Sequence, residues 1–409
     1  MNPCPPPGHG TYADGFAPVA RVFASQLQEG DEIGAGLAIY HQGRRVVDLW
    51  GGLADVALRR PWEQDTRIVV FSVTKGLTAM ALAMLADRGK LEWDRPVASY
   101  WPGFAQGGKG DISVRTLFNH RAGLIGLEQA LTLDHCVLPS LYPSLVRALE
   151  RQRPSWEPGS DQGYHALTFG MYARELFERV AGESVGTFLR RELFDPLGAD
   201  VSLGTPPSVD ARVATLYPTK LVARLAKLVA SAVVGSNTEQ RVLRDVLSRG
   251  SMTRRAFFAL RRGDLAEYNG VPMRRSEFAS GSATGSADGV ARAYLPFASG
   301  GAHDGRRYLR PEALFPLHAR QGWSERDRVL HKPLGWSQGF LKEEATTFSP
   351  TRESFGHAGM GGALGWCDPV KQLTIGYVMN GLDWRIRSPR ALALCRALYE
   401  CEPVRDSGP

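Results

Sequence analysis

The 409-residue chain has few of the features that usually announce a chemistry. There are only five cysteines: Cys4, Cys136, Cys367, Cys395 and Cys401. Their odd number and lack of C-x-x-C spacing exclude a zinc or redox motif and fit a reducing compartment. The nine histidines include no H-E-x-x-H, so no metal is expected. No run of about eighteen uncharged apolar residues occurs, which excludes a membrane span. The opening MNPCPPPGHGTYADGFAPVARVFASQL has no apolar signal-peptide core, and with the cysteines it gives the expectation of a cytoplasmic protein. GSATG at 281–285 has Ala283 where a nucleophile elbow needs serine. GMGGALG at 359–365 has Leu364 where a dinucleotide loop needs its third glycine, and it joins strands without opening a helix. No cofactor is expected.

Charge of one sign is also scarce outside one segment. The net charge is +7, and Thr219 to Arg275 holds twelve Lys/Arg against four acids, so the rest is nearly neutral. That excludes a chain-wide field for nucleic acid and marks one basic insert, 219–275. Within it, TKLVARLAKLVASAVVG (219–235) is amphipathic, with Leu221, Leu225 and Leu228 on one face and Lys220, Arg224 and Lys227 on another. It reads as a helix with a solvated basic face or as a lid or peripheral membrane contact.

What is present is ample core: 43% of residues are hydrophobic and 22% charged. A first helix is expected at 15–29, a β-hairpin at 34–55 turning near His41-Gln42-Gly43, and a helix at 74–88 with Leu77, Met80, Ala81, Met84 and Leu85 on one face. Helices follow at 141–152, 168–182, 284–299 and 310–319. The strands 333–342, 354–359, 362–369 and 372–380 come next, and a last helix spans about Ser388 to Glu400. Strands at both ends with helices between predict an α+β fold. One antiparallel sheet is built from N- and C-terminal segments flanked by helices (15–71 with 330–405), beside a mostly helical lobe (72–329). The chain reads as a single domain, 1–409, with a site in the groove between lobes.

In VVFSVTKGLTAMALAMLADRG (69–89), Ser72 and Lys75 share one face of a helical turn. A serine at a helix start lies among free N–H groups at the positive dipole end, which stabilise an alkoxide and a developing oxyanion. A lysine one turn on can relay the serine proton where burial or nearby charge lowers its pKa. Alone, so short a pattern as S-x-x-K reads as an N-capping serine followed by a surface lysine. The strand-like RIVVFS before it and the apolar helix after it argue that both residues are half buried. Tyr164, in DQGYHALTFG just past Trp156-Glu157-Pro158-Gly159, is either a core tyrosine or a phenol held partly ionised near Lys75 as a general base. SFGHAGMGGALGWCDP offers a glycine-rich strand edge with a free N–H for an oxyanion. Its His357 could contact substrate or hydrogen-bond the tyrosine, although a tight hairpin explains the glycines as well.

The order S-x-x-K, tyrosine after a W-x-P-G turn, then H-x-G resembles the serine β-lactamase-like superfamily. The likeness is greatest to class C β-lactamases, DD-peptidases and family VIII carboxylesterases, and it runs from about Gly34 to Tyr399. It implies that Ser72 is the acylated nucleophile, that Lys75 takes or relays its proton, and that Tyr164 acts as base toward Ser72 and then water. It also implies an oxyanion hole from the N–H groups of Ser72 and Met360, with His357 and Gly359 facing substrate. Penicillin-recognising members usually carry Tyr-x-Asn and Lys-Thr-Gly; here the segments are Tyr164-His165-Ala166 and His357-Ala358-Gly359. Amide and carboxylate recognition is lost while the acyl-transfer groups remain, so the expectation is hydrolysis of a small-molecule ester. A β-lactamase or DD-peptidase, an acyltransferase on the same scaffold and a catalytically inert scaffold are the alternatives. The residues carry no reading of oligomeric state.

Overall fold

The hairpin at 34–55 forms as its turn chemistry dictates. Strands β3 (Gly34–His41) and β4 (Arg44–Asp55) are joined by Gln42 and Gly43 at φ of 51° and 74°, the two positive angles of the tight turn that matches strand twist. The computed structural model describes residues 1–218, 238–261, 265–342 and 347–407. The stretch 219–235, read as a basic amphipathic helix, lies outside the described residues.

The main sheet has eleven strands, all antiparallel. Two short edge strands unforeseen in the sequence, β1 (Asn2–Pro3) and β2 (His9–Tyr12), precede β3, and β5 (Arg60–Pro61) hangs on β4. The C-terminal half supplies β6 (Gly322–Ser324), β7 (Leu334–Ser337), β8 (Phe340–Lys342), β9 (Phe355–Ala358), β10 (Leu364–Asp368) and β11 (Leu373–Met379). The order is β1-β2-β4-β3-β11-β10-β9-β8-β7-β6. The two chain ends therefore meet at the centre, where Ile39 pairs with Ile375. Every residue of β3 and β11 is buried, as a strand covered on both faces requires.

Helix α1 (Ala17–Gln28) packs against the last helix, α5 (Pro389–Glu400). Helix α4 (Ala287–Ala293) lies directly on β3 and β11. It approaches so closely that a Cβ on Gly376 would stand 2.1 Å from the Ala287 carbonyl oxygen. Both α4 and β6 fall within the 72–329 stretch but lie with the sheet. The single helix expected at 284–299 is instead a short strand, Thr284–Gly285, then α4, then Leu295–Ala298. Ser286 caps α4 by accepting from the Gly289 N–H, and Pro296 has no N–H to continue the ladder.

Helix α2 (Val73–Asp87) is the hinge of the architecture. The sequence suggested an apolar face; in fact every residue from Val73 to Leu85 is buried, because α2 runs between the sheet and helix α3 (Thr168–Ala181). Gly76 makes one such contact possible: a Cβ there would sit 2.4 Å from the Tyr294 hydroxyl and 3.2 Å from Cβ of His357. Among the described residues no helix is long and apolar enough to cross a membrane.

Candidate active site

Ser72 stands where a short strand turns sharply into α2. Ile68–Val69 pairs with Thr284–Gly285, and Val70 donates its N–H to the Ala283 carbonyl at 2.9 Å. Phe71 then takes φ of 47°, a left-handed conformation that costs a non-glycine residue roughly 1 kcal/mol or more. The turn is held by Val73 N–H on Val70 O at 3.2 Å and Thr74 N–H on Phe71 O at 2.9 Å. Ser72 occupies the cap position of α2, yet its side chain caps nothing. The hydroxyl is left for other partners at the positive end of the helix.

Those partners are Lys75 and Tyr164. The Lys75 amine lies 2.9 Å from Ser72 Oγ and 2.8 Å from the Ser280 carbonyl oxygen. The Tyr164 hydroxyl lies 3.0 Å from the same Oγ. Lys75 is completely buried, and desolvation pushes its pKa well below the ordinary lysine value. Tyr164 is nearly as buried, and desolvation raises its pKa. The expected partly ionised phenol is thus reversed: in the resting cleft the phenol keeps its proton, and the lysine is the group driven toward neutrality. A buried charge without a counter-ion is costly, and burial shifts both groups toward their uncharged forms.

Tyr164 is fixed from two sides. Asp327 accepts three backbone N–H groups on one oxygen, from Tyr164 at 3.1 Å and from Val329 and Leu330 at 2.9 Å each. The Trp336 ring stacks on the phenol, 5.7 Å between centroids and 7° from parallel. His120 is wholly buried against Trp336; its Nδ1 accepts from the His165 N–H at 2.9 Å. Burial lowers its pKa as well.

His357 ends β9 beside this group. Its Nδ1 lies 2.8 Å from the Ala358 carbonyl oxygen, which can only accept, so Nδ1 carries the proton. Nε2 is then an acceptor; it is buried and has no partner among the described residues. Burial, followed by the nearby Lys75, holds the imidazole neutral. The hydrogen bond to Tyr164 entertained from the sequence is absent, the two rings being 6.2 Å apart. Gly359 follows, and a Cβ on it would lie 2.4 Å from the Val70 carbonyl oxygen, so the end of β9 presses against the turn that carries Ser72. The next residues are clamped by Arg390, whose Nη2 donates to Gly361 O at 3.0 Å and Gly381 O at 2.7 Å; its Nη1 pairs with buried Glu32. Among the described residues the N–H groups of Ser72 and Met360 donate to no other group. The Met360 side chain is half exposed. Ala166 is buried and offers no hydrogen bond where Tyr-x-Asn proteins have an amide.

Ser72, Tyr164, His357, Gly359 and Met360 all line one cavity of about 780 Å³, whose other walls are mainly Leu, Val, Phe and Trp. Ser280, Asp327 and Trp336 were not foreseen. Ser280 adjoins the discarded GSATG motif, which turns out to present a carbonyl to the lysine. An aspartate two and three residues before two N–H groups, in DRVL, is the one local signal that could have pointed to Asp327. Among the described residues no group of three His, Cys, Asp or Glu is placed to hold a metal.

The chain matches the β-lactamase family model over residues 19–395. It is 35% identical over 376 residues to "Esterase/beta-lactamase LipL" of Mycobacterium tuberculosis, covering 90% of this chain and 81% of that protein. Its structure superposes on a crystal structure of a family VIII carboxylesterase with a TM-score of 0.84 at 31% identity, covering 96% and 99% of the two chains. A penicillin-binding protein homologue from Caulobacter crescentus gives a TM-score of 0.83 at 32% identity, covering 96% and 99%. Fold, site geometry and relatives agree: the chain belongs to the β-lactamase family and is a serine hydrolase of its esterase-like branch.

Proposed function

We propose that the protein hydrolyses carboxylic esters through an acyl-enzyme on Ser72. One observation carries this reading: a single hydroxyl, at a strained turn, lies within 3.0 Å of both a buried amine and a buried phenol. Ser72 Oγ attacks the ester carbonyl carbon and its proton passes to neutral Lys75. The oxyanion that forms is met by the N–H groups of Ser72 and Met360; each such donor typically contributes about 2.7–4 kcal/mol in the transition state. When the C–O bond breaks, the leaving alkoxide takes the phenolic proton of Tyr164, and the Lys75 ammonium returns its proton directly to the phenolate, the two groups flanking the acylated Ser72 Oγ. Water repeats the sequence on the acyl-enzyme: it loses a proton to the Tyr164–Lys75 pair, attacks the carbonyl, and Ser72 leaves as the alcohol. His357 Nε2 and Gly359 face the substrate, Nε2 accepting a hydrogen bond from it or from the attacking water.

Esters are favoured over β-lactams and peptides because Ala166 and His357 replace the amide and the ammonium that grip those substrates. The test is hydrolysis of p-nitrophenyl esters together with intact-mass detection of an acyl adduct that Ser72→Ala removes. Turnover of a chromogenic cephalosporin at the ester rate, or an adduct on another residue, would overturn the proposal.

A further inference from the structure

The cavity beside Ser72 is far larger than a small acyl group needs. Its volume of about 780 Å³ lies in the range that encloses drug-sized ligands. Much of its wall comes from the basic insert, a segment for which the hydrolytic reading has no use. The helix Thr238–Leu247 turns Val242 and Val246, one helical turn apart, into the cavity, and Phe257, Phe258, Leu265 and Tyr268 join them. This wall abuts the reacting groups: the Tyr268 ring is 5.0 Å from that of Phe71, the residue before Ser72, and Phe257 is 6.3 Å from Tyr164. The insert is knitted to itself and to the body by hydrogen bonds. Arg254 Nη1 reaches Val246 O at 2.7 Å, and Thr253 Oγ1 reaches Val329 O at 2.7 Å. Its charged residues Arg244, Arg249 and Arg255 are exposed, so the segment is basic outside and apolar toward the cleft. Arg385, at the rim, is already paired with Asp383 at 3.1 Å.

We infer that the described parts of the insert, 238–261 and 265–275, are an apolar binding wall, and that the substrates are esters bearing a large uncharged hydrocarbon or aromatic group, of about eight carbons or more, in contact with it. This rests on the ester-hydrolase reading above and specifies its substrate class. Apolar area removed from water at the insert would lower the barrier in proportion to chain length, while an acetyl group would leave the wall untouched.

The experiment compares kcat/KM for p-nitrophenyl acetate, butyrate and octanoate in the wild type, Val246→Asp, Phe257→Ala and, as a control on the exposed face, Arg249→Ala. The octanoate-to-acetate ratio is expected to be about tenfold or more in the wild type, since buried methylenes each contribute severalfold. It should fall at least fivefold in Val246→Asp and Phe257→Ala, and stay unchanged in Arg249→Ala. A wild-type ratio at or below one, or a ratio indifferent to both wall substitutions, would overturn the inference. Binding of the same esters to Ser72→Ala, followed by tryptophan fluorescence, separates the two claims. Tighter binding of octanoate by a protein whose wild type hydrolyses no ester would sink the hydrolase reading and keep the wall; equal or undetectable binding of all three would sink the wall.

Discussion

The amine of Lys75 is 2.8 Å from the carbonyl oxygen of Ser280, and among the described residues no carboxylate pairs with it. A lysine held by a carbonyl and a serine hydroxyl, with its amine 5.3 Å from the centre of the Tyr164 ring and no exposure, is driven toward its neutral form. On the proposed mechanism Ser72 then has its base in place, and a pH dependence follows.

The activity should depend on neutral Lys75. Its folded pKa is lowered well below the ordinary 10.5, so the amine is protonated, and activity lost, only as pH falls through that lowered value. The acid limb of the kcat/KM profile should lie well below 10.5. Lys75→Arg, which cannot deprotonate, should lose at least about a thousandfold, as Ser72→Ala should. A plateau reached only above pH 10 would contradict this.

Tyr164→Phe should leave the stack on Trp336 intact and remove only the phenolic proton. The expected loss is about a hundredfold to ten-thousandfold in kcat, the usual range for a proton-transfer group, with KM little changed. A loss confined to KM, in steady-state assays on any ester that turns over, would assign the hydroxyl to binding instead.

Asp327 is a positioning residue, and its two variants should separate charge from hydrogen bonding. Burial raises its pKa from 3.8 to about 6, so between those values the folded state holds more protons than the unfolded one. This group therefore favours folding as pH falls from about 6 toward 4 and opposes it above. Asp327→Asn keeps an acceptor for the three N–H groups and should match or exceed the wild-type melting temperature at pH 8. Asp327→Ala leaves buried N–H groups without acceptors and should cost about 2–4 kcal/mol in denaturant unfolding, with a fall in kcat as Tyr164 loosens.

Gly359→Ala tests the contact between β9 and the turn that carries Ser72. The new methyl would meet the Val70 carbonyl at 2.4 Å, backbone that has little room to yield. Overpacking of this kind costs about 1–3 kcal/mol. Since the two segments pushed apart carry Ser72 and Met360 respectively, kcat should fall by more than the loss of stability alone explains, as judged at a temperature where the variant is folded.

Much of this was legible in the primary structure. Ser72, Lys75 and Tyr164 could be singled out because each sits at an element boundary: a strand entering a helix, or a turn rich in proline and glycine ahead of one. The strands of the C-terminal half were readable from their alternation and glycine punctuation. Other features were hidden because no local pattern encodes them. The burial of α2 on every side depends on two separate neighbours, Trp336 stacks on Tyr164 across a long sequence separation, and the protonation of the phenol reflects the absence of water, which sequence does not display. The edge strands β1, β2 and β6 are two to four residues long, too short for any periodicity to register.

The pairing of β3 with β11 also sets a schedule for biosynthesis. Residue 39 leaves the ribosome well before residue 375 and can close its hairpin with β4 at once, while its other neighbour is still to be translated. Loop closure between residues as distant in sequence as Ile39 and Ile375 has to precede the central ladder, which makes folding slow and leaves one flank of an apolar hairpin uncovered in the meantime. The complete sheet therefore forms only when β11 docks, and no nascent fragment ending before β11 carries it.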